Sequence, residues 1–125
     1  NKKMGTLSGG NKQKVNLLLS LMFDNPLLIL DEPTSGLDPL AIINLKQYLR
    51  SEKEKGKLIL VTTHIMSFVE ELADHVIFLL EGNIYFDGSL DNLMSSHRAD
   101  SLELAIAKIL KAKTSPLRTI KSQAS

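Results

Sequence analysis

The 125-residue chain has no cysteine, which excludes a disulfide scaffold and fits a reducing compartment. Long apolar runs are missing too. The longest, LLIL, LILV and VIFLL, fall far short of the roughly 20 residues a membrane helix needs. Charge of one sign is in no excess: 15 Lys and Arg stand against 14 Asp and Glu, a formal net charge of +1. That balance offers naked DNA no dominant electrostatic grip, and no nucleic-acid partner is expected. There is no internal repeat. Also absent from all 125 residues is a GxxxxGK[ST] loop, the pattern whose backbone N–H groups and lysine hold nucleotide phosphates.

What is present is enough apolar chain, 43%, to form the core of one domain at most. The organising stretch is Leu7 to Asp38, which reads LSGGNKQ, an apolar helical segment, then LLILDEPTSGLD. A strand that delivers Asp31 and Glu32 to its carboxyl end, with Pro33 next, is suited to holding a cation and a water. Ser8, Gly9 and Gly10, opening a helix, offer an anion a hydroxyl, backbone N–H groups and the positive helix end. Together these point to nucleoside triphosphate chemistry with Mg²⁺. The missing lysine loop then implies that the sequence is part of a longer protein.

In chain order, residues 1–6 read as a polar loop. Val15, Leu18, Leu19 and Met22 give a helical stripe between Gly9 and about Phe23, with Ser8 as N-cap. Asp24, Asn25 and Pro26 end it. Leu27 to Leu30 is a continuous apolar run, expected of a strand covered on both faces. Asp38 and Pro39 start the next helix as N-cap and first-turn proline; its stripe is Ile42, Leu45 and Leu49, and Gly56 closes it. Leu58 to Thr62 is a second apolar strand, ending at Thr63 and His64. Ile65, Phe68, Val69 and Leu72 mark a short helix. His75 to Leu80 turns through Glu81-Gly82-Asn83 into Ile84 to Phe86 as a hairpin.

Ser89 is placed to cap a short helix through Met94. Asp100 and Glu103 form a capping-box pattern ahead of a helix striped by Leu102, Ile106, Ile109 and Leu110. Beyond Lys113 the tail loses periodicity and reads as loose. The lysine-rich stretches at 46–57 and 108–121 read as solvated faces. Strands alternating with helices predict an α/β fold with a parallel core sheet and a small antiparallel finish.

The ordered set of LSGG, an apolar run ending in Asp-Glu, SGLD and a strand-ending histidine closely resembles the ATP-binding cassette (ABC) family of P-loop ATPases. The resemblance covers about Thr6 to Leu93 and implies the carboxyl-terminal half of an ABC ATPase. Residues 1–97 would be its cassette portion, and 98–125 an appended helix and loose tail. By that resemblance Leu7 to Gln13 is the signature motif, where Ser8, Gly9 and Gly10 would cradle the γ-phosphate of an ATP held by a second ABC ATPase subunit. Asn11 departs from the family's usual glutamine. Asp31 would be the Mg²⁺-holding aspartate and Glu32 the general base for the attacking water. Ser35 to Asp38 would be the loop that couples two sites across a dimer, with Asp38 also read as an N-cap. His64 would be the switch histidine that bonds the γ-phosphate. His75 and His97 match no family position and are expected to serve packing or surface roles.

The wording EPTSGLDP is similar to the transporter branch. The segment HIMSFVEELADHVIFLLEGNIYFDGSLDNL is similar to ATPase subunits of ABC-2-type exporters, most of all to those serving maturation of nitrous oxide reductase, a copper enzyme. This implies an ATP-hydrolysing subunit peripheral on the cytoplasmic face of the cell membrane, working with a membrane permease. Drug or polysaccharide export, a translation-factor or DNA-repair ATPase, and a non-catalytic cassette used as a binding module remain alternatives. The simultaneous presence of Glu32 and His64 argues against the last.

Overall fold

The computed structural model of the protein describes residues 22–112 and the backbone of residues 118–119. The expected lead-in at 1–6 and all but the end of the expected helix from Gly9 lie outside the described residues. Met22 and Phe23 are already in an exposed turn. The chain divides into two compact units, Asn1–His64 and Ile65–Ser125.

In the first unit, β1 (Leu27–Asp31), α1 (Pro39–Glu54) and β2 (Leu58–Thr62) follow one another. The two strands pair in parallel, with Leu27 opposite Leu58 and Asp31 opposite Thr62. A parallel pair needs a crossover, and α1 supplies it. Asp38 caps α1 as expected, its Oδ1 accepting from the Ala41 N–H at 2.8 Å, and Pro39 is the first helical residue. Gly56 follows the helix at φ +86°, a backbone that favours glycine, and its N–H donates to the Lys53 carbonyl at 2.9 Å.

The expectation that β1 is covered on both faces is not met. Leu28 and Leu30 are buried, while Leu27, Ile29, Leu58 and Leu60 are 44%, 64%, 68% and 52% exposed. Strand residues alternate faces, so the register gathers those four exposed side chains onto one side of the pair. The buried side faces the helix layer: α1 packs on β2 and turns Leu45 and Leu49 inward, with Ile42 half-buried.

The lysine-rich stretch at 46–57 is not simply a solvated face. Glu52, buried on α1, pairs with Lys55 at 2.7 Å and with Lys57, which also reaches Asp24 at 2.7 Å. Lys57 is itself largely buried, its side chain 12% exposed. Hydrogen bonds from Lys55 and then Lys57 hold the Glu52 carboxyl down to about 2, against the opposing effect of burial. Bonds to Asp24 and then Glu52 raise the Lys57 ammonium.

A carboxyl whose folded pKa is depressed contributes stability above its unfolded value of 4.5 and loses it as pH falls towards about 2. Glu52→Gln in the complete protein is therefore expected to lower the melting temperature at pH 7, and the gap to the parent should narrow below pH 4.5. Melting curves that keep the same gap at neutral and acid pH would contradict the ion-pair role.

The second unit holds α2 (Met66–Leu72), β3 (His75–Leu80), β4 (Asn83–Ser89), α3 (Leu90–Ser96), α4 (Leu102–Lys111) and β5 (Arg118–Thr119). β3 and β4 form the expected antiparallel hairpin, turning at Glu81 and Gly82, both at positive φ, with an irregularity between Phe78 and Leu79. Ser89 caps α3, accepting from the Asn92 N–H at 3.1 Å, and the helix runs two residues past Met94.

Ser101, not Asp100, caps α4, accepting from the Leu104 N–H at 3.3 Å. The Glu70 carboxylate adds a bond from the Leu102 N–H, a negative charge at the positive helix end. With the helix starting at Leu102, the inward stripe is Leu102, Ala105, Ile106 and Ile109; Leu110 has turned out to solvent. The stripe packs with Leu93, and around them lie Val69, Val76, Phe78 and Phe86.

Lys108 is engaged as well, its Nζ donating to the carbonyls of His97 and Arg98 at 2.8 Å each. Part of the tail read as loose pairs with the hairpin: Arg118 and Thr119 add a short antiparallel strand to β4. The rest of that tail lies outside the described residues. The second sheet thus has the order β3-β4-β5. No helix among the described residues is long and apolar enough to cross a membrane.

Candidate functional site

The site grows from the register of β1 and β2. Asp31 and Thr62 are the last partners of the ladder and share the face that carries Leu27, Ile29, Leu58 and Leu60. Side chains opposite one another on adjacent strands lie within reach, and the Thr62 hydroxyl donates to Asp31 Oδ1.

Glu32 would turn to the opposite, buried face if β1 continued. It does not. Its N–H makes one more bond to β2, donating to the Thr62 carbonyl at 2.8 Å, and its backbone then swings to φ +44°. A non-glycine residue rarely takes that conformation, least of all where a proline follows. Here it is held from both sides, because the Glu32 carbonyl accepts from the Ser35 N–H at 3.0 Å. The Pro33 and Thr34 segment is buried beneath the turn. Gly36, at φ +72°, and a bond from the Leu37 N–H to the Thr34 carbonyl (3.2 Å) lead the chain to Asp38 and α1.

That swing meets the end of β2. His64 Nδ1–H donates to Glu32 Oε1 at 2.9 Å, with the Glu32 side chain 38% exposed. The bond fixes which ring nitrogen faces the carboxylate and leaves Nε2 for another partner. Asp31, Glu32 and His64 are thus brought together at the carboxyl ends of two parallel strands, the position where open α/β sheets bind ligands. The described position of Asp38 is that of a helix cap. Ser8, Gly9 and Gly10 lie outside the described residues.

Two features escaped a reading of the residues alone. Thr62 reads there as the last member of an apolar strand, although it is the first polar residue of LILVTT and opposes Asp31 once the strands are aligned. The left-handed turn at Glu32 has a fainter signal in the Glu-Pro pair. His75 and His97 belong to the second unit: His75 Nε2–H donates to Asp87 Oδ1 at 2.7 Å, and His97 Nδ1–H donates to the Leu93 carbonyl at 3.0 Å. The first is an exposed cross-strand pair; the second closes a helix end.

Asp31 offers a cation one exposed carboxylate with one oxygen engaged by Thr62. Among the described residues no group of three or more His, Asp or Glu is placed to hold a metal. Such a donor set fits Mg²⁺, which commonly takes one or two protein carboxylates and completes its octahedron with water and phosphate.

A family model described as an AAA domain, putative AbiEii toxin, type IV toxin–antitoxin system, matches residues 3–70. The chain is 44% identical over 82 residues to the lantibiotic transport ATP-binding protein SrtF of Streptococcus pyogenes, a match covering 66% of this chain and 36% of that protein. It is 43% identical over 94 residues to the Nod factor export ATP-binding protein I of Burkholderia orbicola, covering 75% of this chain and 31% of that one. A solved ATP-binding subunit of an ABC transporter superposes with a TM-score of 0.78 at 35% identity, over 86% of this chain and 45% of the other. The chain thus spans less than half the length of each of these proteins. The α/β core, with its parallel pair and antiparallel hairpin, is that of a partial P-loop ATPase. By the matched model the chain belongs to the AAA-domain family, and it is similar over part of their length to ATP-binding subunits of ABC transporters.

Proposed function

We propose that this chain is the carboxyl-terminal portion of an ATP-hydrolysing subunit that powers an ABC-2-type exporter. The observation that carries the reading is the meeting of Asp31, Glu32 and His64 at the ends of β1 and β2, with His64 holding the Glu32 carboxylate at 2.9 Å. Residues 1–97 form the cassette portion and 98–125 an appended helix and tail.

Glu32 acts as the general base: its carboxylate takes a proton from a water aimed at the γ-phosphorus, and the bond from phosphorus to the bridging oxygen of ADP breaks. His64 donates through Nδ1 to Glu32 and turns Nε2 toward the γ-phosphate, fixing the distance between base and phosphate. Asp31 would hold Mg²⁺, which when bound would neutralise charge on the phosphates. Ser8, Gly9 and Gly10 present a hydroxyl and backbone N–H groups to the γ-phosphate of an ATP bound by a second subunit. Asp38 caps α1 and carries the state of one site to the other. Two subunits close on ATP and part after hydrolysis, and a membrane permease receives that motion on the cytoplasmic face of the membrane.

Export as the transport direction draws support from the lantibiotic transport and Nod factor export relatives. A link to copper-enzyme maturation, as for nitrous oxide reductase, rests on the wording of residues 56–71.

The trans placement of the signature motif gives the test. In the complete protein, Ser8→Arg is expected to leave ATP binding by the monomer intact and to abolish hydrolysis, because the cation obstructs the cradle offered to the partner's nucleotide. Ser8→Arg and Glu32→Gln, each inactive alone, regain ATPase when mixed. The two substitutions then fall in one composite site of the mixed dimer, and the other site keeps its serine and glutamate. Loss of ATP binding by monomeric Ser8→Arg protein would overturn the trans arrangement.

A further inference from the structure

We infer that Thr62 is a positioning residue that sets the Asp31 carboxylate for the cation and ties its placement to that of Glu32. The inference rests on the proposed role of Asp31 as the Mg²⁺ ligand and adds a residue to it. Thr62 makes two bonds from one position, each to one of the adjacent carboxylate residues. Its hydroxyl donates to Asp31 Oδ1. Its carbonyl accepts from the Glu32 N–H at 2.8 Å, the last bond before the chain swings to φ +44°. Both follow from the register, in which Asp31 and Thr62 are Cα partners.

The chemistry of that arrangement is directional. An aspartate at an exposed strand end has free rotation about its terminal torsion and can present either oxygen, or both, to a cation. A threonine hydroxyl has one proton to donate. Giving it to Oδ1 assigns that oxygen to the protein and leaves Oδ2 and its lone pairs for Mg²⁺ or a water bound to it. Such a bond to an ionised acceptor is among the stronger hydrogen bonds. Threonine suits the task better than serine because its branched Cβ restricts the first side-chain torsion in a strand. The neighbouring Leu58 and Leu60 on the same face have no polar atom to compete for the carboxylate.

Thr62→Val keeps the branch and the volume and removes only the donor. The carbonyl bond to Glu32 is backbone and survives it. The effect is therefore confined to Asp31 and, through it, to the metal.

The experiment uses the complete protein loaded with ATP and Mn²⁺ as the probe, with free Mn²⁺ read by electron paramagnetic resonance. Thr62→Val is expected to weaken Mn²⁺ binding by about tenfold, and Thr62→Ser to stay within about twofold of the parent. ATPase in Thr62→Val should need more Mg²⁺ for half-maximal rate yet approach the parent's turnover at saturation, a split that a folding defect would not produce. In an Asp31→Asn background, Thr62→Val should cost nothing further. Unchanged Mn²⁺ affinity in Thr62→Val, with Asp31→Asn clearly weakened, would overturn the role of Thr62 and leave the function intact. Unchanged affinity in Asp31→Asn would overturn the functional reading itself. Should Thr62→Val fail to fold, equal Mn²⁺ affinity in Thr62→Ala and Thr62→Ser would reject the inference as well.

Discussion

In the complete protein, Glu32→Gln is expected to cut ATP hydrolysis by about 10²–10⁴ while leaving ATP bound, the usual worth of a general base. The amide preserves what the site needs structurally. Its oxygen can still accept from His64 Nδ1–H, now 2.9 Å from Oε1. The backbone at φ +44° is held by the Thr62 carbonyl and the Ser35 N–H, neither of which depends on the side chain. What the amide cannot do is accept a proton from water. ATP should therefore accumulate uncleaved between two subunits, and a nucleotide-dependent dimer should be visible by size exclusion. Turnover within about threefold of the parent would place Glu32 outside the chemistry.

The residues that proved most legible were those whose local chemistry has one good solution. Asp38 followed by Pro39 reads as a cap and a first helical residue, and the structure has both there. Gly56 after a charged helix end reads as a stop and sits at positive φ. The apolar runs at 27–30, 58–62 and 75–80 read as strands because β-branched and aliphatic residues crowd them, and the hairpin turn reads from Glu81-Gly82-Asn83, where Gly82 takes a positive φ. What failed were readings that needed a partner from elsewhere in the chain. Continuous apolar character in β1 suggested cover on both sides, yet Ile29 remains exposed. Composition reports what a strand tolerates, not what lies against it.

Glu52 escaped for the complementary reason. Within SEKEKGK it is one charge among several, and only the fold aims it inward at Lys55 and Lys57. The cap of α4 was misplaced by one residue because Asp100 and Ser101 are both good N-caps. The choice falls to Ser101 through the start of the buried stripe at Leu102, with Glu70 adding a bond that no local pattern contains. In the site, Asp31, Glu32 and His64 could be singled out from their motifs, but Thr62 could not. Its role exists only once Leu27 is set opposite Leu58 and the ladder is counted to its end.

Expressed by themselves, these 125 residues are expected to self-associate and to hydrolyse no ATP. The catalytic silence follows from the phosphates. In the proposed reading Asp31, Glu32 and His64 would arrange a cation, a base and a water, but a triphosphate also needs a glycine-rich loop and its lysine, and no GxxxxGK[ST] pattern occurs in the sequence. The self-association follows from β1 and β2. Among the described residues each pairs only with the other, and the face bearing Leu27, Ile29, Leu58 and Leu60 is exposed. Open strand edges beside a contiguous apolar face invite pairing with another chain. A segment carrying the lysine loop, supplied in the same chain or co-expressed, is therefore expected to restore two properties together: a dispersed protein, and ATPase that depends on Mg²⁺ and on Glu32. Sedimentation and a phosphate-release assay would follow both. A monodisperse 125-residue chain that hydrolyses ATP, with the activity lost in Glu32→Gln, would show that the phosphate-holding groups lie within these residues and that the proposed division of the cassette is wrong.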